Sequence, residues 1–389
     1  MARPLGVAVL GYTGVAKAHL AAVRRHPELF PDAPAPLRLV AVCGRTRDAV
    51  DEAARRYGAE RATTEWQSLV EDPGVDLFIN AAPNDLHAAP SVAALRAGKG
   101  VLCEKPLGRT AREAMEMAKA ARESRRVAMT GFNYRFMPAV LLARRMIASG
   151  DLGRLYHFRC RYSDDSLVDP KAAWNWRHDR ETAGSGVIGD LAAHPLDLAL
   201  LLAGPITAVT AATRTYIPER PRGSGPAPVT VEDAVVATLE FQNGAVGTLE
   251  ASGMCPGRKN LFTFELNGER GTVAWDLERL NELRVYHGDG DARGLADVLV
   301  TERTHPYGGR WWPPGHTLGW ESGFVHQLEE LGRRIAGADG PMAGATFADG
   351  LACALVCDAL LTAAETGRRI TVPPVPAPFQ SGAGSDTAR

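Results

Sequence analysis

Residues 5–16, LGVAVLGYTGVA, decide the fold of this chain. The apolar run at 5–11 is typical of a buried strand that ends at a glycine, and helical periodicity begins at Val15. Strand, tight turn and helix in this order form the first part of a βαβ unit. The turn, Gly11-Tyr12-Thr13-Gly14-Val15-Ala16, partly matches the Gly-x-Gly-x-x-Gly/Ala fingerprint of dinucleotide-binding sheets.

That fingerprint serves the tight turn, the close approach of the pyrophosphate and the contact between helix and strand. Gly11 suits the first role and Ala16 the third. Thr13 replaces the second glycine, and Gly14 can take over part of its role. The start of the following helix, at Val15, would offer free N–H groups to the phosphates. We expect this turn to bind a dinucleotide, although an ordinary βα turn would look similar.

Strands and helices alternate up to about residue 133. The strands are expected at 37–43, 75–82, 101–106 and 127–133, with helices at 47–58 and 110–123. This spacing predicts a doubly wound parallel sheet, that is, an N-terminal dinucleotide-binding Rossmann domain over residues 1–133.

The pattern changes after residue 133. A helix at 138–149 precedes strand-like runs joined by hairpin signals such as Gln-Asn-Gly-Ala, which predict a mostly antiparallel sheet in a C-terminal α/β domain over 134–372. Helices around 320–336 and 346–366 are expected to pack back onto the protein. We expect 220–229 to be a mobile loop and 373–389 to be a disordered tail, because both are rich in Pro and Gly.

The composition limits the classes of partner. Lys plus Arg number 44 and Asp plus Glu 45, so no net field would attract nucleic acid or an anionic membrane, and a small molecule is the expected partner. With no secretory signal and no apolar run approaching a membrane span, we expect a cytoplasmic protein. The six cysteines are scattered without CxxC or HExxH, so neither disulfides nor a metal site is expected.

The cofactor should be NADP or NAD, and the end of the second strand favours NADP. An acid there would accept the ribose hydroxyls of NAD, but the chain continues Gly44-Arg45-Thr46 and no acid occurs before Asp48. Arg45 and Thr46 could instead hold a 2′-phosphate. The alternative is that Arg45 is an exposed loop residue without a role.

Three later segments carry chemical side chains. Ala82-Pro83-Asn84-Asp85-Leu86-His87 and Glu104-Lys105-Pro106 each follow a predicted parallel strand, at the sheet edge where such folds bind ligands. Asp190 and His194 lie four residues apart and would share one helix face.

Alcohol oxidation by a nicotinamide needs a base for the hydroxyl proton and a cation for the developing alkoxide. His194 suits the first task and Lys105 the second, while Asp190 can orient the imidazole or hold a substrate hydroxyl. Each also has a structural interpretation, as a core histidine, a solvated loop lysine and a helix-start carboxylate. Their combination within this predicted fold favours the catalytic one.

The motifs GYTGVAKAH, APNDLHA, CEKPL, GFNYRF and GDLAAHPLD resemble those of the Gfo/Idh/MocA oxidoreductase family over roughly residues 5–372. The resemblance implies a C-terminal domain whose large open sheet forms the interface of a homodimer or homotetramer. It makes Lys105 the family lysine and Asp190 and His194 the catalytic pair. For the cofactor, the further site residues then expected are Ala82, Pro83, Asn84, His87, Glu104 and Lys105. For the substrate, they are Tyr134, Arg135, Trp176 and Arg177, beside Asp190 and His194.

Within the family, stretches such as WRHDRETAGSGVIGD and HPYGGRWW resemble the levoglucosan dehydrogenase-like sugar dehydrogenases. Where an aromatic run would be expected after the strand at 156–162, this chain has Ser163-Asp164-Asp165-Ser166. Asp164 is therefore a further candidate substrate contact, and its charge suggests an amino sugar or aminocyclitol. Both aspartates could equally be strand-end residues.

The sequence thus predicts an NAD(P)-dependent oxidoreductase that acts on a secondary alcohol or ketone of a sugar, amino sugar or cyclitol. Two alternatives stay open. One is a redox-neutral epimerase or glycoside-cleaving enzyme with bound NAD(P). The other is a non-catalytic NAD(P)-sensing regulator.

Overall fold

The first strand is apolar at every position because both of its faces are covered. In the computed structural model, which describes residues 3–288, 293–340 and 342–379, all six residues of β1 (Leu5–Leu10) are buried. The elements that follow it in the first domain are α1 (Ala16–Leu29), β2 (Leu37–Cys43), α2 (Arg47–Tyr57), β3 (Arg61–Thr63), α3 (Gln67–Glu71), β4 (Leu77–Asn80), α4 (Ala88–Arg96), β5 (Gly100–Cys103), α5 (Ala111–Ser124) and β6 (Ala128–Thr130).

These strands form a parallel sheet in the order β6-β5-β4-β1-β2-β3. The order reverses at β1, which lies between β2 and β4, and this reversal is where doubly wound sheets bind nucleotides. The predicted Rossmann sheet is confirmed.

The second domain is built around a larger sheet. Its elements, and those that complete the chain, are α6 (Pro138–Ala148), β7 (Leu155–Ser163), α7 (Arg180–Ala183), α8 (Ala193–Leu202), β8 (Ile206–Arg214), β9 (Glu219–Arg222), β10 (Gly225–Pro228), β11 (Ala234–Phe241), β12 (Val246–Ser252), β13 (Leu261–Gly268), β14 (Gly271–Asp276), β15 (Glu282–His287), β16 (Ala296–Leu299), α9 (Ser322–Ile335), β17 (Ala345–Thr346), α10 (Phe347–Thr366) and β18 (Ile370–Thr371).

Nine strands form this sheet, in the order β16-β15-β14-β13-β7-β12-β11-β8-β18. The pairs are antiparallel except β7 with β12, so the predicted mostly antiparallel sheet is confirmed. Burial alternates along β11, with Val235, Ala237 and Leu239 facing the core and Val236 and Thr238 facing outward. The sheet therefore has one covered face and one open face.

The chain returns to the first domain near its end. Phe324 and Leu328 of α9 belong to the same apolar core as Val7 and Leu20 of the parallel sheet and α1. β17 then adds to that sheet as an antiparallel strand beside β6. This differs from the predicted division at residue 133, because the apolar face of α9 is needed to cover one side of the parallel sheet.

The expectation of a mobile loop at 220–229 is wrong. This segment contains a hairpin, β9–β10, and Arg220 within it is only 1% exposed. The guanidinium donates to the carbonyl oxygens of Asp169 and Leu167, both at 2.7 Å. Those two backbone bonds anchor a segment that its composition alone made look unstructured.

The predicted disordered tail is also partly placed. Residues 377–379 form a short 3₁₀ turn, and Phe379 packs against the apolar core beside α5. The expectation for 380–389 lies outside the described residues.

Two helical stretches, Arg180–Leu202 and Phe347–Thr366, are apolar and long enough to cross a bilayer by composition, which differs from the expectation that no apolar run approaches a membrane span. Their most apolar windows are 78% and 56% buried within the fold. Packing on this scale is typical of core helices.

Candidate active site

A cavity of about 560 Å³ lies between the domains, where the loops after β1, β4 and β5 face the second domain. Open α/β sheets bind ligands at this edge. The predicted site residues that line it are Thr13, Gly14, Val15, Ala82, Pro83, Asn84, His87, Glu104, Lys105, Tyr134, Trp176, Arg177, Asp190 and His194.

The turn after β1 has the geometry that a dinucleotide requires. Gly11 has φ +119°, and a Cβ there would lie 2.6 Å from the carbonyl oxygen of Ala81. Gly14 has φ +52°, and no atom of the described residues lies within 4 Å of where its Cβ would be. Ala16 is fully buried against the strand. Gly14 therefore provides the open approach that Thr13 does not, and the turn fits a nicotinamide dinucleotide.

Buried side chains fix the loops that follow β4 and β5. His87 places Nδ1 2.7 Å from the Pro106 carbonyl oxygen and Nε2 3.0 Å from that of Ala82, which ties the two loops together. Glu104 is held by the ring Nε2 of His19 at 2.6 Å and accepts the Lys105 N–H at 3.1 Å. The backbone from which the Lys105 side chain extends is therefore held rigidly.

The Lys105 ammonium is bound twice by one residue. Its Nζ donates to Asp190 Oδ1 at 2.8 Å and to the Asp190 carbonyl oxygen at 2.5 Å. Arg177, which stacks on the Trp176 ring, places Nε 3.8 Å from Asp190 Oδ2. Desolvation alone would raise the pKa of Asp190, but the charges of Lys105 and Arg177 lower it to about 2. Asp190 is therefore a carboxylate at physiological pH.

A π-helical turn carries Asp190. It runs from Ile188 to Ala192, and α8 continues it with His194 in the first α turn. Such wide turns recur at functional sites. The prediction that Asp190 and His194 share a helix face agrees with their common position on the cavity wall.

His194 has the environment of a neutral base. It is 8% exposed, and the rings of Tyr134 and Tyr162 lie 4.8 and 5.9 Å from its own. Burial and the Lys105 charge lower the pKa of His194 well below its ordinary 6.5, against the opposing effect of Asp190. The imidazole is therefore unprotonated near neutrality and can accept a proton.

Several cavity residues were missed by sequence analysis. Tyr162 donates to Asn260 Oδ1 at 2.7 Å and lies 3.3 Å from the Tyr134 hydroxyl, which also accepts Trp320 Nε1–H at 3.3 Å. These residues come from β7, from the loop before β13 and from the segment before α9. No local motif marks them, because only the tertiary fold brings them beside His194.

Arg135 is not placed to contact substrate, so that prediction is wrong. It is 3% exposed and donates to Asp197, with Nη2 2.6 Å from Oδ1 and Nε 2.8 Å from Oδ2. Tyr134 beside it does line the cavity. The short 3₁₀ turn at 133–136 points the two neighbours in different directions.

Asp164 also fails to reach the cavity wall. Its Oδ1 accepts the N–H and Oγ–H of Ser166, which is the cavity residue at this place. Asp165 pairs with Lys259 at 2.5 Å. The two aspartates are strand-end residues with local partners, as the alternative interpretation held.

The segment after β2 lies outside the cavity lining. Gly44 is buried beneath the Tyr12 ring, since a Cβ there would lie 2.0 Å from that ring's Cε1. Arg45 and Thr46 are exposed at the end of the strand. Their position leaves them accessible to a cofactor that extends past the turn.

The matches to known proteins agree with this geometry. A model described as oxidoreductase family, NAD-binding Rossmann fold, matches residues 5–132, and a Gfo/Idh/MocA C-terminal domain model matches 140–274. Levoglucosan dehydrogenase of Pseudarthrobacter phenanthrenivorans is 38% identical over 96% of this chain and 99% of its own. Inositol 2-dehydrogenase of Rhizobium meliloti is 25% identical over 94% and 98%.

Solved structures match over the same length. A levoglucosan dehydrogenase in complex with NADH and L-sorbose superposes with a TM-score of 0.91 at 38% identity, covering 96% of this chain and 100% of that one. An oxidoreductase domain protein from Kribbella flavida gives 0.92 at 40% identity, with the same coverage.

Proposed function

Because the chain belongs to the Gfo/Idh/MocA family of NAD-binding oxidoreductases, we propose that it transfers a hydride between a nicotinamide and a secondary alcohol or ketone. The substrate class would be a sugar, amino sugar or cyclitol. The observation that carries this proposal is the Lys105 ammonium, held by Asp190 in the same cavity as the dinucleotide turn and neutral His194.

The reaction would divide between two side chains. A bound nicotinamide supplies the hydride acceptor. Neutral His194 takes the hydroxyl proton, since its low pKa keeps the ring unprotonated. Lys105 donates a hydrogen bond to the oxygen on which negative charge develops. Asp190 orients that ammonium and, at a pKa of about 2, stays ionised throughout.

The proposed substrate class rests on the lining of the inner cavity. Tyr134, Tyr162 and Asn260 offer hydroxyl and amide groups, and Trp176 and Trp320 offer aromatic surface. Hydrogen-bonding groups beside aromatic faces suit a polyhydroxylated ring. The local partners of Asp164 and Asp165 remove the earlier reason to prefer a cationic substrate.

We propose that the cofactor is NAD or NADP and that Arg45 supports NADP. An exposed guanidinium at the end of β2, with no acid before Asp48, would accept a 2′-phosphate. Arg45→Ala should then raise the KM for NADP more than that for NAD. A matched change at exposed Arg55 should alter neither, and equal effects of Arg45→Ala on both cofactors would count against this role.

We also propose that the protein is a cytoplasmic homodimer or homotetramer whose subunits contact one another through the open face of the nine-stranded sheet. Val236 and Val246 on that face are 61% and 49% exposed. Val236→Glu should weaken assembly, as measured by light scattering after gel filtration. A wild-type monomer would refute the proposed assembly.

The central experiment mixes the protein with NAD or NADP and a panel of sugars, amino sugars and cyclitols, and follows absorbance of the reduced nicotinamide. Net reduction supports a dehydrogenase. A new product without net reduction would indicate a redox-neutral enzyme, and cofactor binding without any product would indicate a sensor.

A further inference from the structure

A buried carboxyl outside the recognised motifs holds the start of the catalytic helix. Glu232 lies just before β11 and is 4% exposed. Its carbonyl oxygen accepts the Val187 N–H at 3.1 Å, and its Oε1 accepts the Ile188 N–H at 2.9 Å. The first N–H groups of a helix have no partner within it. One residue thus serves two consecutive donors where the π turn begins.

The backbone of Glu232 packs so closely against Gly186 that no side chain would fit between them. A Cβ at Gly186 would lie 2.0 Å from the Glu232 carbonyl oxygen. The next N–H, of Gly189, donates to Ser185 Oγ at 2.9 Å, and a Cβ at Gly189 would lie 2.7 Å from that oxygen. Two glycines therefore let Glu232 and Ser185, which also line the cavity, lie close against the start of the turn.

Burial of the Glu232 carboxyl costs folding free energy. Its Oε2 is buried and makes no hydrogen bond among the described residues, and burial raises the pKa of this side chain. A buried polar atom without a partner destabilises a protein. An apolar side chain of similar size would avoid that cost but could not accept the Ile188 N–H.

We propose that Glu232 is a positioning residue for hydride transfer, which fixes the π turn so that Asp190 meets Lys105. Asp190 lies two residues after Ile188, and it holds Lys105 through a side-chain and a backbone oxygen. A shift at the start of the turn therefore moves both oxygens together. This inference rests on the proposed function, but the rigidity of the turn can be measured without any turnover.

The test compares Glu232→Leu, which removes the acceptor at similar size, with Glu232→Gln, which keeps an acceptor oxygen. Asp358→Leu is the matched control. Asp358 is likewise shielded enough that burial raises its pKa, and its Oδ2 accepts the Ala111 N–H at the start of α5, a helix with no residue in the cavity lining. Amide hydrogen exchange of 185–194, the cofactor Kd, and kcat with its pH profile are measured for each variant.

We expect Glu232→Leu to exchange faster at 187–190 and to lose kcat about tenfold, with little change in cofactor Kd. The pH below which kcat of this variant falls should move upward. The reason is that a Lys105 side chain held less firmly lowers the pKa of His194 less. Glu232→Gln should resemble wild type in exchange, rate and pH profile. Asp358→Leu should loosen α5 and leave kcat and its pH dependence unchanged.

Unchanged exchange in Glu232→Leu, or faster exchange with a normal kcat, would overturn the proposal. So would a Glu232→Gln enzyme that lost a limb of the pH profile, since Glu232 would then act on protons itself. If Glu232→Leu fails to fold, Glu232→Met removes the same side-chain acceptor with a more adaptable apolar side chain, and normal exchange or rate there would count equally against the proposal. A wild-type chain without turnover would refute the proposed function, while exchange would still decide whether Glu232 holds the turn.

Discussion

Asp190→Ala tests how the cavity holds its ammonium group. The change removes the Oδ1 partner of Lys105 at 2.8 Å but leaves the backbone partner at 2.5 Å. A hydrogen bond between charged groups contributes about 1.5–3 kcal/mol, or roughly 10- to 150-fold in rate. Solvent screens this pair, because the Asp190 side chain is 49% exposed. We therefore expect kcat to fall about 10- to 30-fold.

The measurement is kcat/KM with the best substrate of the panel, beside the cofactor Kd from quenching of protein fluorescence. Asp190→Asn keeps an oxygen near Lys105 and should lose less than Asp190→Ala. Both should stay well above Lys105→Ala, because the backbone oxygen still holds the ammonium. If Asp190→Ala were as inactive as Lys105→Ala, the carboxylate would take part in the chemistry itself, and an unchanged rate would show that the ion pair is dispensable.

The other predictions address the base, the core and the cofactor turn. Lys105→Ala and His194→Ala should abolish turnover but bind cofactor nearly as wild type in fluorescence titrations, and a normal rate in either would remove that residue from the mechanism. Since His194 has its pKa lowered below 6.5, activity should persist as pH falls through 6.5 and be lost only at the lower folded pKa. If kcat/KM already declined above pH 6.5 as the pH was lowered, the direction of this pKa shift would be wrong. Arg135→Met should cost about 3–5 kcal/mol in denaturant unfolding, because it leaves Asp197 buried and unpaired. A change confined to KM would instead restore the substrate-contact interpretation. Gly11→Ala should weaken cofactor binding, because its φ of +119° and the nearby carbonyl oxygen leave no room for a methyl group. Wild-type cofactor affinity would show that the turn does not contact the cofactor as proposed.

The parts of the fold that were predictable have local causes. An apolar run closed by a glycine such as Gly11 favours a strand and turn, and alternation with helices then favours a parallel sheet. The site residues that follow strand ends, such as Asn84 and Lys105, were predictable for the same reason. Strand polarity alone brings those ends to one edge.

The errors arose where distant contacts override local composition. The segment 220–229 looks mobile until Arg220 is seen to bind the backbone of another loop. Arg135 sits beside a cavity residue in sequence, yet its partner Asp197 is reached only through the fold. Trp320 belongs to no motif that would mark it as a site residue. Side chains that come from separate segments have no fixed spacing along the chain, so a sequence pattern cannot identify them.

The return of α9 and β17 to the parallel sheet, before α10 and β18 join the domain of the nine-stranded sheet, makes the chain cross between the two domains three times. A fragment that stops at residue 133 would leave the surface beneath Phe324 and Leu328 open to water and would be prone to aggregate. Exchange of the domain around the nine-stranded sheet between related enzymes would therefore need three junctions, one after β6, one before α9 and one after β17.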